Sequence, residues 1–156
     1  MTWERFLLGL VTSGISTLGF CLLLKLNPKR IPAAVIGGML TNLVYDAVVL
    51  SFGNLLLAAF SSSLFMALYS EISAKIFRAP AILFIVPCAI PIVPGSYLYY
   101  TGYYLLTQQT ERLAYYAKGT LQIGLGIAVG MGVASILIGI GFHVLRYLRA
   151  RIHERV

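Results

Sequence analysis

The chain has 156 residues, of which 59% are hydrophobic and only 11% charged, with a net charge of +7 and a mean hydropathy of +0.86. A soluble domain carries about 25% charged residues, so this composition excludes a soluble globular protein and describes an integral membrane protein built as one compact bundle. The positive charges gather at segment ends and in the tail rather than on one face, which excludes a nucleic-acid-binding surface.

Five apolar segments follow in order, each near the ~20 residues that cross the hydrocarbon. The first covers about 6–24, with Trp3 as an interfacial anchor. Its length, and Lys25 where a small-residue cleavage site would be needed, argue against a secretory signal. A basic turn from Lys25 to Arg30 leads to the second, about 31–52, which holds Gly37-Gly38, Asn42 and Asp46. An uncharged turn, Gly53-Asn54, precedes the third, about 55–77, with Ser61-Ser62-Ser63, Glu71 and Lys75, closed by Arg78. The fourth is 80–107. A polar connection, 108–118, contains Glu111, Arg112 and Tyr115-Tyr116. The fifth, 119–145, ends in a basic tail, 146–156, with Arg146, Arg149, Arg151 and Arg155.

Charge counting sets the topology. Five crossings put nine Lys and Arg residues on one side and three on the other, whereas dropping the polar second segment gives seven and five. Cations favour the cytoplasm, so five crossings are expected, with the N-terminus outside and the C-terminus inside.

The fourth segment is uncharged yet carries Pro80, Pro87, Pro91 and Pro94, with Gly95 directly after. Proline in a helix interior removes a donor and clashes with the carbonyl four residues back, at about 3 kcal/mol or more. The fold class expected is therefore an all-α membrane protein of five transmembrane helices, the fourth broken by prolines at 87–96. Broken backbone persists in lipid only beside protein or a wet cavity, and in transporters such breaks hold the solute. The alternative is a proline kink that shapes packing.

If a helix restarts near Pro94, its first amides and the Ser96 hydroxyl suit an anion such as a carboxylate. Tyr97, Tyr100 and Tyr104 share one face there and could line a path; Tyr103 and Tyr104 equally suit an interfacial belt. Asp46 is the sharpest polar signal outside the break, since a charge in mid-span costs about 2.5–3.5 kcal/mol on insertion scales. Asn42 lies one turn earlier on the same face. Such groups mark a solute or proton path, or make a structural hydrogen bond. Glu71 and Lys75, at i and i+4, read as a local ion pair near the cytoplasmic end or as a gate contact.

Cys21 and Cys88 read as buried packing residues without a disulfide, and His143 and His153 lack metal-ligand company, so no metal is expected. No catalytic set or nucleotide loop is present in the sequence, so neither an enzyme nor a cofactor is expected. In the fifth segment Gly126-xxx-Gly130 and Ser135-xxx-Gly139 imply close packing on a partner helix, within the chain or on another subunit, including a second copy.

The stretch Pro80-Ala-Ile-Leu-Phe84-Ile-Val-Pro87-xx-Ile90-Pro91-xx-Pro94-Gly95-xx-Leu98-Tyr99 resembles the signature of the threonine/serine exporter family, and in particular its short YjjB-like members. The resemblance implies export of small carboxylates, threonine and serine in fused members and succinate in a split pair. It also implies a bacterial inner-membrane location and a larger membrane partner similar to the family's N-terminal half. The residues matched are Pro87, Pro91, Pro94 and Gly95. An odd number of crossings suits the inverted-repeat plan of secondary transporters. A subunit that only stabilises such a partner, without transporting, is the alternative.

Overall fold

A chain this apolar has to pair its backbone groups internally, and it does so with helices. The computed structural model describes residues 3–153, with side chains described for residues 7–141. Trp3, Arg5, both histidines and the tail arginines thus lie outside the described side chains. The elements are α1 (Trp3–Leu23), α2 (Ile31–Phe52), α3 (Leu55–Phe77), α4 (Ile82–Ala89), a 3-10 turn (Ile90–Ile92), α5 (Gly95–Leu106) and α6 (Thr110–His153). No strand occurs among the described residues. α2, α3 and the 110–141 part of α6 are each long and apolar enough to cross a membrane. α4, the 3-10 turn and α5 form a fourth candidate span, bent by 54°. The described part of α1, Leu7–Leu23, is apolar but shorter.

Two boundaries differ from the sequence reading. α6 begins at Thr110, so most of the expected 108–118 connection is helix. Polarity there suggested a loop, but the segment holds no breaker before Gly119, and Glu111 suits the positive end of a helix. The fourth segment is two helices, and Pro87 sits buried inside α4 without ending it. The chain turns later. Val93, immediately before Pro94, is extended (φ −62°, ψ 129°), as steric clash with the next proline ring favours. Pro94 (φ −76°, ψ 54°) forms an inverse γ-turn in which the Gly95 N–H donates to the Val93 carbonyl at 2.7 Å. Leu98 N–H then donates to the Pro94 carbonyl at 2.9 Å and α5 is under way.

Helix ends follow side-chain chemistry. Asn54 caps α3 by accepting from the N–H groups of Leu56 (3.0 Å) and Leu57 (3.3 Å). Gly53 takes the left-handed conformation that closes α2 (φ 63°). Lys25, Arg78 and Gln108 take it after α1, α3 and α5, and Leu26, Ala79 and Gln109 donate back to Cys21, Ala74 and Tyr104 in Schellman closures.

Missing Cβ atoms let the helices approach. A Cβ at Gly37 would overlap the Tyr69 ring and come within 2.7 Å of Cys88 Sγ, and one at Gly38 would overlap Thr17. Tyr69 donates to the Ala33 carbonyl at 2.8 Å, locking α3 against α2. On α6, a Cβ at Gly126 would lie 2.7 Å from Ala59 Cβ, and one at Gly130 would overlap Ser63 Oγ. The Gly126-xxx-Gly130 pair therefore packs within the chain, on α3. By contrast, a Cβ at Gly139 would meet nothing within 4 Å. Since 126 faces 59 and 130 faces 63, α3 and α6 run parallel and their first turns share one end of the bundle. α1 and α2 run antiparallel, with Gly9 beside Asp46 and Thr17 beside Gly38. Lys25, Lys29, Arg30, Lys75 and Arg78 consequently gather at one end, opposite Arg112 and Lys118.

Candidate functional site

A helix face with residues at i, i+3, i+4 and i+7 is continuous. On α1 the face made by Gly9, Thr12, Ser13 and Ser16 carries no bulky side chain, and it lies against Asn42 and Asp46 of α2. Asn42 Nδ2 donates to Asp46 Oδ2 at 3.0 Å. Gly9 leaves room for the carboxylate: a Cβ there would lie 3.3 Å from Asp46 Oδ2. These six residues and Pro91, from the 3-10 turn, line a cavity of about 410 Å³.

The lining has a definite polarity. Thr12 donates to the Leu8 carbonyl (2.8 Å), Ser13 to Leu10 (2.9 Å) and Ser16 to Ser13 (2.9 Å). With each hydroxyl hydrogen committed to its own helix, what the oxygens offer is lone pairs. Asp46 adds a carboxylate, and among the described residues no basic side chain lines the cavity. Such a wall accepts protons, ammonium groups or small cations.

The other residues singled out in the sequence are placed as follows. Pro87 is buried in the bundle wall, where its neighbour Cys88 lies 3.3 Å from the Ala34 carbonyl. Pro94, Gly95 and Ser96 are outside the Asp46 cavity, and Gly95 and Ser96 are exposed. Gly95 borders instead the outward apolar groove along α5. Tyr97 lines a second cavity, beside the α2–α3 turn. Tyr100 packs against both Tyr104 and Tyr116, with ring centroids 6.0 and 5.0 Å away. Glu71 and Lys75 approach to 4.0 Å on the surface of α3, away from both cavities. Of the proline stretch only Pro91 meets Asn42 and Asp46. Cys21 and Cys88 are free and buried, and no metal-binding cluster occurs among the described residues.

The sequence reading missed Gly9, Thr12, Ser13 and Ser16. Their spacing was a usable signal, being a small and hydroxyl-bearing stripe in an otherwise apolar helix.

Residues 9–137 match the family model described as Threonine/Serine exporter, ThrE. The chain belongs to the threonine/serine exporter family. The match covers the cavity, the bent pair of helices and residues 110–137 of α6, so this exporter-family chain is a membrane protein of a transport family. Comparison with curated proteins gives no match, and comparison with solved structures gives none.

Proposed function

We propose that the chain is one subunit of a secondary exporter for small carboxylate metabolites, threonine, serine or succinate among them. It crosses a bacterial inner membrane five times, α4 and α5 forming one broken span, with the N-terminus outside, and it works with a larger membrane partner. The observation that carries this reading is the Asp46–Asn42 pair facing a hydroxyl-lined cavity whose remaining wall is Pro91 of the 3-10 turn. An ionisable group in that setting fits a coupling role, its carboxylate taking up and releasing a proton as the cavity opens to either side. The amides of Ser96 and Tyr97, at the start of α5, have no carbonyl behind them in their own helix and suit the solute's carboxylate.

The test is flux from proteoliposomes carrying this chain with its larger partner, loaded with labelled threonine, serine or succinate under an imposed pH gradient. Asp46→Asn should lower gradient-driven efflux at least tenfold, and replacing Pro94-Gly95 by Ala-Ala should abolish it, both without loss of membrane insertion. Efflux of all three solutes unchanged in both variants would falsify the reading and leave a subunit that only supports its partner.

A further inference from the structure

Among the described residues the cavity around Asp46 offers a carboxylate, hydroxyl lone pairs and the Asn42 amide, and no cationic side chain. A cationic side chain does line an open cavity elsewhere, with Lys118 itself exposed. A second cavity, about 540 Å³, lies between the α2–α3 turn, the first turn of α5 and the early part of α6. Lys118 lines it, with Gln122 one turn further along α6, Tyr97 and Tyr115 as phenols, and Asn54 on the turn. The Asn54 side-chain oxygen is committed to capping α3, so its amide nitrogen is what remains to donate. Among the described residues Lys118 has no ion-pair partner; the acid on its own helix, Glu111, lines a different pocket with Arg112.

The cavity is tied to the rest of the molecule through Tyr97. A Cβ at Gly119 would overlap the Tyr97 ring, so the Cδ1–Cε1 side of the ring packs on α6 where glycine leaves room, beside Lys118.

We infer that the second cavity is a binding site for a small aliphatic carboxylate, with Lys118 as its counter-charge and Gln122, Tyr115 and Asn54 as neutral donors. The site is a vestibule at the end of the bundle that holds the α2–α3 turn. It deepens the transport reading and rests on it, because it names where the solute's charged pole waits beside the broken span. An ammonium on a long stem also reaches toward lipid headgroups when it lies near a helix end. A headgroup would be a second source of the same anionic chemistry.

The experiment is equilibrium binding of labelled succinate to the full chain in nanodiscs of zwitterionic lipid, which requires no flux. Wild-type protein should bind saturably. Lys118→Gln should weaken binding at least tenfold, Lys118→Arg should stay within threefold, and Lys29→Gln, which removes the same charge at the opposite end, should change nothing. Circular dichroism and detergent resistance identify any variant that fails to fold, and Gln122→Leu then supplies an independent loss of about threefold. Absence of saturable succinate binding, or equal affinity in Lys118→Gln, overturns the assignment. So does a tenfold weakening on adding anionic lipid, which would give the cavity to a headgroup. A protein that binds succinate through Lys118 yet shows no gradient-driven flux keeps this site and loses the transport reading.

Discussion

The quadrant formed by α1 to α4 and the arm formed by α5 with the beginning of α6 are held together by opposite means. In the quadrant the helices meet through absent side chains: Gly37 and Gly38 admit Tyr69, Cys88 and Thr17, and the buried polar groups are small hydroxyls such as Thr17, Thr41 and Ser62. In the arm they meet through large ones. Tyr116 lies within 5.0–5.7 Å, centroid to centroid, of Tyr97, Tyr100, Tyr104 and Tyr115. α5 packs on α6 and, among the described residues, on no other helix. Close backbone approach gives a frame that cannot shift without overlap, whereas a ring stack on one neighbour, reached through a 54° bend, can pivot. The frame holds Asp46, and the arm carries Tyr97.

The largest effect should come from extending this contrast along α6 itself, where Gly130 belongs to the frame and Gly132 faces outward. At Gly130 a Cβ would overlap Ser63 Oγ and lie 2.6 Å from the Phe60 carbonyl oxygen, and at Gly132 it would meet nothing within 4 Å. Gly130→Val should therefore destabilise the bundle by about 3 kcal/mol, the upper end of ordinary overpacking. Gly132→Val should change it by less than about 0.5 kcal/mol. The midpoint of unfolding in an SDS titration reads both. Equal shifts would mean that α3 and α6 are not packed through Gly126 and Gly130.

A smaller effect is expected in the arm. Each aromatic pair adds about 0.5–1.5 kcal/mol beyond burial and the terms are not additive, so Tyr116→Leu should cost about 2 kcal/mol. The more telling readout is where the loosening stops. Cys88 is buried in the frame, so it should stay protected from maleimide when Tyr116 is replaced. Labelling of Cys88 rising in step with the loss of stability would show that arm and frame move as one body.

Much of the frame was legible in the sequence, and the reasons are local. The Gly53-Asn54 turn is where Gly53 closes α2 and Asn54 caps α3, and Asn42 and Asp46, expected on one face, are hydrogen-bonded there. The family, too, was legible from the proline signature alone. What depended on crossing helices was not. The stripe of Gly9, Thr12, Ser13 and Ser16 means little until α1 lies antiparallel on α2 and brings it opposite Asp46. Pro87 was read as part of the break because proline penalises a helix interior, yet α4 tolerates it, and the chain turns only where Val93 is forced extended by Pro94. Five crossings already make α3 and α6 parallel, but the cavity around Lys118 needed them packed side by side with Tyr97 against Gly119, which no local pattern encodes.

The smallest effect separates the two regions by charge at their helix ends. Arg78 closes α3 in the frame and Gln108 closes α5 in the arm, both in the left-handed conformation, at φ 46° and 54°. A side chain in that conformation costs about 1–2 kcal/mol, which glycine avoids. Glycine loses about 0.5–1 kcal/mol more backbone entropy on folding, so Gln108→Gly should stabilise the protein by about 0.5–1 kcal/mol. Arg78→Gly relieves the same strain but removes a cation from the negative end of α3, a contribution of about 0.3–1 kcal/mol, so its net change should be near zero. The difference should shrink in high salt, because screening weakens the dipole contribution and leaves the strain untouched. SDS midpoints at two salt concentrations measure it. If Arg78→Gly gains as much as Gln108→Gly at low salt, charge has no part in closing α3, and the two regions end their helices by conformation alone.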